Sequence, residues 1–434
     1  MRFCSYLSRL PWYSWMLCGA IIVYAIWDGC VIVPDTGTYV HMAPHRSALY
    51  PLFLRCYFCF FSEETLRPLA FLQTALSVVA ALFFVSSIRR CFCFKKMRFV
   101  EFFIFTLLMS PNFGTEPYSR CVMSEALAYP LWLLAASNIM LFFKERSVKA
   151  CKNFFALTAL LILTRRQFLF LYPVISLLLV GIFTYLRYMV RKECHWPLVA
   201  YAALSIVVTD LTERGYHLAV HKMYRHVPFT GQQLVILPFW HTMSSDLHLS
   251  DKKQNAIFHR AQNILSQREL PSKHIVGSLR YFYDYGIVGR ILRESTEDVM
   301  QNENLWARDE VQTKMAFELL KHAPIACLCG YIKSILVAYI PLRGGTGGLA
   351  ALWLSFLLLF FVTYRRAERD EKRLLECIAF MSASNIGLVA LVEPILGRYT
   401  VYTDSFLATV LIAMVFSQTW PGKPILEARK SCNT

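Results

Sequence analysis

The chain has 434 residues, of which 56% are hydrophobic and only 17% charged, with a mean hydropathy of +0.42. Soluble domains carry about 25% charged residues, so a soluble globular class is excluded. The net charge of +16 then reads as the Lys/Arg excess that membrane proteins keep in loops on one face, not as a nucleic-acid footprint.

The predicted elements are helices. Apolar runs such as "WMLCGAIIVYAIWDGCVIV" and "LAALWLSFLLLFFVTY" are long enough to cross a hydrocarbon core of about 30 Å. No segment shows the ten-residue alternation of a membrane barrel. The first span is expected over residues 12–33 and, lacking a small-residue cleavage site, is read as a retained anchor. An outer loop follows, "VIVPDTGTYVHMAPHRSALYPLF" and onward, with a short helix along the membrane. Spans are then expected over 69–87, 100–110 and 126–143, a tight pair over 154–163 and 168–186, and a seventh over 197–208. A polar stretch of over 100 residues comes next. It is too long for a connector and reads as a small, mostly helical outer domain broken by prolines. Residues 325–341 are expected to lie at the interface. If they crossed, the loop "YRRAERDEKR", with five basic residues, would flip outward against the insertion bias. Three more spans close the chain, over 349–363, 374–391 and 406–415. The expected fold is therefore an all-α polytopic membrane protein. It has about ten transmembrane helices and an outer domain inserted after the seventh. The division is 1–212 (N-terminal membrane module), 213–348 (outer domain and interfacial segment) and 349–434 (C-terminal module and tail). Both termini are placed in the cytoplasm, because "RRCFCFKKMR", "KERSVKACK" and the tail "GKPILEARK" share that face.

Other patterns carry less. The 14 cysteines sit mainly in spans and basic loops and read as small buried hydrophobes, not as a disulfide or zinc framework. "GGTGG" lacks the Lys-Ser/Thr of a phosphate loop. His217 and His221 have the i,i+4 spacing of a zinc pair, but no glutamate follows the first histidine, and an amphipathic helix is the expected reading.

Residues that break the topology rule are the functional candidates. Outer connections should be poor in Lys and Arg, yet they hold Arg46, Arg55, Arg67, Arg120, Arg165, Arg166 and Arg398. Charge at that depth is costly and is usually paired or functional. Ion pairs with Glu63, Glu64, Glu116 or Glu393 are one reading. Arginine forks closing on a lipid phosphate are the other. The acids are equally selective. Asp35 follows Pro34 just past a span end, Glu125 opens the fourth span, and Glu393 ends the ninth.

Together these features resemble the GT-C superfamily of membrane glycosyltransferases, which includes protein O-mannosyltransferases and aminoarabinose transferases. The matching fragments are "DTGTY", "RSALYP", "MSEAL", "LTRRQF" and "GRYTVYTDSF", in order over nearly the whole chain. The resemblance implies a polyprenyl-phosphate sugar donor, an outer active site, and a first-loop acid as base, a role falling on Asp35. Many relatives place two acids side by side in that loop, whereas Asp35 stands alone here. The second-loop acid could be Glu116 or Glu125, and a divalent cation remains open.

The residues suit that chemistry on their own terms. An attacking hydroxyl needs a carboxylate base, and a departing lipid phosphate needs fixed cations. Asp35 and Glu125 are the catalytic candidates. Arg165, Arg398 and Arg46 are candidates for the donor phosphate, and Glu116, Tyr399 and Gln232 for the acceptor or sugar. Expected partners are a polyprenyl-phosphate sugar, membrane lipids and a glycan, lipid or protein acceptor, with no nucleic acid and no certain cofactor. The expected activity is an inverting glycosyltransferase. A bacterial inner membrane is preferred to the endoplasmic reticulum. A glycan ligase or polymerase of related fold, or a lipid or polysaccharide transporter, is the alternative.

Overall fold

The computed structural model describes residues 7, 10, 12–62, 65–92, 98–113, 117–189, 196–228, 230–242, 247–267, 278–339, 348–392 and 397–419. Every regular element among them is a helix, apart from a single bridge between Val31 and Cys121. The fold is all-α, as expected. The helices fall into two units, one of Met1–Thr212, Leu359–Met381 and Tyr402–Thr434, the other of Glu213–Leu358 and Ser382–Val401.

The count of ten spans is not reached. Among the described residues, four helical segments are long and apolar enough to cross a membrane: Arg67–Phe92, Glu125–Glu145, Arg369–Leu391 and Thr400–Ser417. A fifth is counted only if Leu305–His322 and Pro324–Ile335, which meet at 108°, are taken as one. For three of the expected spans the reason is length. The helix at the expected third span has 12 residues and rises only about 18 Å at 1.5 Å per residue. Those at the first and fifth have 17, or about 26 Å, against a core of about 30 Å.

In the first unit α1 spans Trp12–Asp28, five residues shorter than the expected span over 12–33. Gly29 ends it at φ +71°, its N–H returning to the Ala25 carbonyl at 2.9 Å. Glycine enters this left-handed conformation without a Cβ penalty. Two short helices follow, α2 (Thr36–Val40) and α3 (Leu49–Phe58). Next come α4 (Arg67–Phe92), α5 (Arg98–Met109), α6 (Glu125–Glu145) and α7 (Val148–Thr164). A 3₁₀ turn over Arg166–Phe170 leads into α8 (Leu171–Met189). α6 is the hub. It packs on both α4 and α7 and is apolar on all sides, burying Tyr129, Trp132, Ala135 and Ile139. Such a helix belongs in the middle of a bundle.

Charges mark the C-terminal end of α6. Arg90 meets Glu145 at 2.6 Å, Lys144 meets Glu371 at 3.1 Å, and Arg146 meets Asp370 at 3.6 Å. Arg90, residues 144–146 and residues 370–371 therefore gather at one end of this unit. Glu125 stands at the other end of the same helix, about 30 Å away at 1.5 Å per residue.

α9 (Trp196–His221) continues the seventh apolar run straight into the second unit. That unit contains α10 (Thr230–Leu234), α11 (Ile236–His241), α12 (Lys252–Gln267), α13 (Ser278–Val299), α14 (Leu305–His322) and α15 (Pro324–Tyr339). α16 (Gly348–Arg366), α17 (Arg369–Val392) and α18 (Gly397–Thr419) each run from one unit into the other. α12 is amphipathic. Gln254, Ile257, Phe258, Ala261 and Leu265 form one buried face, the three-four spacing of a core-facing helix. It closes with Phe239, Ile291, Leu292, Met315 and Leu319 over a core of its own. Asp251 caps α12 by accepting from the Lys253 and Gln254 N–H groups, and Asn304 caps α14 by accepting from Ala307.

Gly231 is where α10 meets α14 most closely. Its N–H donates to Asp309 Oδ1 at 2.6 Å. A Cβ there would collide with the Asp309 carbonyl and with Thr313, whose backbone nitrogen would lie at 2.8 Å. The obstacles are largely backbone and cannot rotate away. Gly231→Ala is therefore expected to destabilise the protein by about 1–3 kcal/mol through overpacking, read as a lower midpoint in chemical unfolding.

Candidate functional site

The site begins where α1 stops. Val31 donates to the Arg120 carbonyl at 2.9 Å and accepts from Val122 at 3.2 Å. Thr36 secures the same loop. Its hydroxyl accepts from Val33 N–H at 3.0 Å and donates to the Val122 carbonyl at 3.2 Å. Beside this latch Arg120, which is buried, pairs with Asp28 and lies over the Tyr24 ring. The stretch after the first helix is thus stitched to the stretch before α6. Asp35 and Glu125 enter one neighbourhood although 90 positions separate them in sequence.

Side chains then link in series. Arg46 NH2 meets Asp35 Oδ1 at 2.8 Å. Its Nε donates to Thr38 Oγ1 at 2.8 Å, and its NH1 donates to the Tyr39 hydroxyl at 3.2 Å. The guanidinium also stacks on the Tyr39 ring, 4.3 Å from its centre. The buried Tyr39 hydroxyl lies 3.0 Å from Ser124 Oγ, and Ser124 Oγ lies 3.1 Å from Glu125 Oε2. Glu125 Oε1 pairs with Arg165 NH1. Each hydroxyl has one proton, and this fixes the polarity. Ser124 gives its proton to the Glu125 carboxylate, so it accepts from the Tyr39 hydroxyl, which in turn accepts from Arg46 NH1. A chain aligned in this way is mutually polarising.

The two ends differ. The Asp35 side chain is 54% exposed, whereas that of Glu125 is 4% exposed and that of its partner Arg165 16%. Glu125 sits at the first position of α6, where the helix dipole favours a negative group. Arg165 caps α7 in extended conformation and leads into the 3₁₀ turn. Below them lies an aromatic floor. The Tyr402 ring packs 5.0 Å from Phe168, and Trp132 Nε1 donates to the Tyr402 carbonyl at 2.7 Å. To the side, Tyr50 packs edge-on to Tyr39 and accepts from Gln73 Nε2 at 2.9 Å. Burial lifts the Tyr50 phenol well above its usual range, so it stays protonated.

Of the residues singled out from the sequence, Asp35, Arg46, Glu125 and Arg165 come together in this network. Glu116 lies outside the described residues, as do Glu63, Glu64 and Glu393. Arg398 and Tyr399 belong to the first turn of α18, but their side chains lie outside the described part. Gln232 belongs to the second unit and lines a cavity there. Also in that unit, His217 and His221 pack against each other and against Trp306, with ring centres 5.4–5.9 Å apart. Among the described residues no group of three or more His, Cys, Asp or Glu side chains could hold a metal ion. Asp35 and Glu125 each face an arginine.

Tyr39 and Ser124 are the members that sequence reasoning missed. Both lie inside quoted fragments, "DTGTY" and "MSEAL", but a lone tyrosine or serine beside an apolar run carries no charge signal. Removing one link isolates its contribution. Tyr39→Phe deletes the hydroxyl that joins Arg46 to Ser124 and is expected to cost about 1–2 kcal/mol. Tyr39→Phe with Ser124→Ala should cost less than the sum of the two single changes, measured as a double-mutant cycle in chemical unfolding.

Comparison of the chain with protein-family models, with curated proteins and with solved structures finds no match.

Proposed function

We propose that this chain is a membrane glycosyltransferase that moves a sugar from a polyprenyl phosphate to an acceptor hydroxyl. The observation that carries the reading is the continuous Asp35–Arg46–Tyr39–Ser124–Glu125–Arg165 network. It joins two carboxylates and two arginines at one end of a buried helix whose other end carries the basic loops. Basic loops mark the cytoplasmic face. The network therefore belongs to the opposite face, level with lipid headgroups, where a lipid-linked donor presents its phosphate. A bacterial inner membrane, with both termini cytoplasmic, fits this orientation.

The reaction assigns each group a task. The acceptor hydroxyl loses its proton to the exposed Asp35 carboxylate as its oxygen bonds to the anomeric carbon. The bond from that carbon to the phosphate oxygen breaks, and the lipid phosphate leaves with the electron pair. A single displacement inverts the anomeric centre. Arg46, itself held by Thr38 and Tyr39, orients Asp35 through its NH2 group and leaves the carboxylate as the proton acceptor. Arg165 offers charge to the departing phosphate. A guanidinium has five N–H groups, more than one carboxylate engages. Glu125 fixes the position of Arg165, and the hydroxyls of Tyr39 and Ser124 tie that fixed pair to the base.

The test is direct. Purified protein in nanodiscs is incubated with polyprenyl-phosphate sugars and candidate acceptors. Release of polyprenyl phosphate with an inverted glycosidic product is expected. Counterflow of an intact lipid or glycan across proteoliposomes, without bond cleavage, would establish the transporter alternative instead. Products longer than one added unit would point to the ligase or polymerase alternative.

A further inference from the structure

We propose that Cys56 and Cys59, the C-x₂-C pair in "RCYFCF", close into a reversible intramolecular disulfide on the outer face. The reading of the cysteines as small buried hydrophobes holds for Cys18, Cys91, Cys121, Cys151 and Cys377, which are buried, but these two are exposed. Cys56 lies in the last turn of α3 and Cys59 caps it. That turn is tightened. The Cys59 N–H is shared between the carbonyls of Arg55 and Cys56, each at 3.2 Å, and the Phe60 N–H reaches back three residues to the Tyr57 carbonyl at 3.0 Å. Cys59 has φ −68° and ψ −22°, values of a 3₁₀ turn. In that geometry side chains three residues apart eclipse, and a rise of about 2.0 Å per residue sets their Cα atoms about 6 Å apart. Disulfides join Cα atoms at about 5.5–6 Å. The bond therefore needs rotation of two thiols and no movement of the helix. The Cys59 thiol donates to the Arg55 carbonyl at 3.3 Å, a weak bond given up on closure.

The place of α3 supplies the redox setting. Its Tyr50, Leu54 and Tyr57 share one core with Val33 and Tyr39, so α3 stands at the network end of the unit. The proposal rests on the orientation given above, which puts that end outside the cytoplasm, and not on the transferase chemistry. Disulfides form and persist outside the cytoplasm. One thiolate attacks a sulfur of an oxidant disulfide, giving a mixed disulfide and releasing one thiol. The second cysteine then attacks the protein sulfur, closes the S–S bond and releases the other thiol. The pair loses two protons and two electrons, and the oxidant disulfide becomes two thiols. Exposed sulfurs stay open to attack by thiolates, so the bond is reversible. Closure ties the last turn of α3 around Tyr57, which belongs to the core shared with Val33 and Tyr39 on either side of Asp35.

Reduced full-length protein in nanodiscs is equilibrated with oxidised glutathione, alkylated with N-ethylmaleimide and digested for mass spectrometry. The tryptic peptide that begins at Cys56 holds these two cysteines and no other. Alkylation of both should fall together, at least tenfold, and excess dithiothreitol should restore it. Cys56→Ser should instead leave glutathione on Cys59, because no neighbour resolves the mixed disulfide. A wild-type peptide that keeps both thiols, carries glutathione or is joined to a second chain would overturn the assignment. Orientation is read separately, with a membrane-impermeant maleimide on reduced, sealed right-side-out vesicles. Both cysteines should be labelled. Labelling only after detergent would overturn the proposal through its orientation, whereas failure to close in nanodiscs would overturn it with the orientation intact.

Discussion

Replacing Arg165 by alanine is expected to destabilise the protein by about 3–5 kcal/mol, the cost of breaking a buried ion pair by removing one member. The partner is Glu125, whose side chain is 4% exposed. The helix dipole and the Ser124 hydroxyl also face it, but neither carries a full charge. Glu125→Gln in the same background removes the stranded charge and should recover most of the loss. Arg46→Ala is the contrasting case. Its carboxylate partner is 54% exposed, and an ion pair in that setting contributes about 0–1 kcal/mol. The measurement is chemical unfolding of each variant in the same detergent. Equal losses for Arg165→Ala and Arg46→Ala would mean that Glu125 reaches water and that the network is not buried at that end.

That contrast also shows how much of the site was legible in the sequence. Composition alone gave the all-α membrane class, because runs of about 20 apolar residues admit few other structures. The arginines stood out as soon as topology was assumed, since they oppose the insertion bias. Their partners did not stand out. Arg46 pairs with Asp35, eleven positions before it, and Arg120 pairs with Asp28 on α1. Arg165, just past the C-terminal end of α7, pairs with Glu125 at the N-terminal end of α6. The acids first weighed as partners, Glu63, Glu64, Glu116 and Glu393, lie outside the described residues. Long-range pairing is set by backbone stitching such as Val31 with Cys121, and a two-residue bridge leaves no pattern in sequence. The span count failed for a different reason. Apolar character is visible residue by residue, but where a helix stops depends on local features such as Gly29 at φ +71°. An apolar run can therefore be longer than the helix it yields.

Asp35→Asn is expected to lower kcat for glycosyl transfer by about 10²–10⁴-fold, the usual contribution of a positioned general base, while the KM for the lipid donor stays within a few fold. Asparagine keeps the shape of the side chain and an oxygen that Arg46 can donate to, so the loop should hold. Arg46 also retains Thr38 and Tyr39, and the change in stability should stay below about 1 kcal/mol at this exposed position. A loss of rate without a loss of fold therefore isolates proton transfer from architecture. Glu125 cannot be tested so cleanly, because its removal breaks the buried pair with Arg165. The informative comparison is Asp35→Asn against Asp35→Glu. The longer acid can still take a proton but places it about one bond length away, so partial activity should return. Near-wild-type turnover by Asp35→Asn would remove Asp35 as the base. It would leave the transferase reading standing only if another acid beside the network, such as Asp28 next to Arg120, then proved essential.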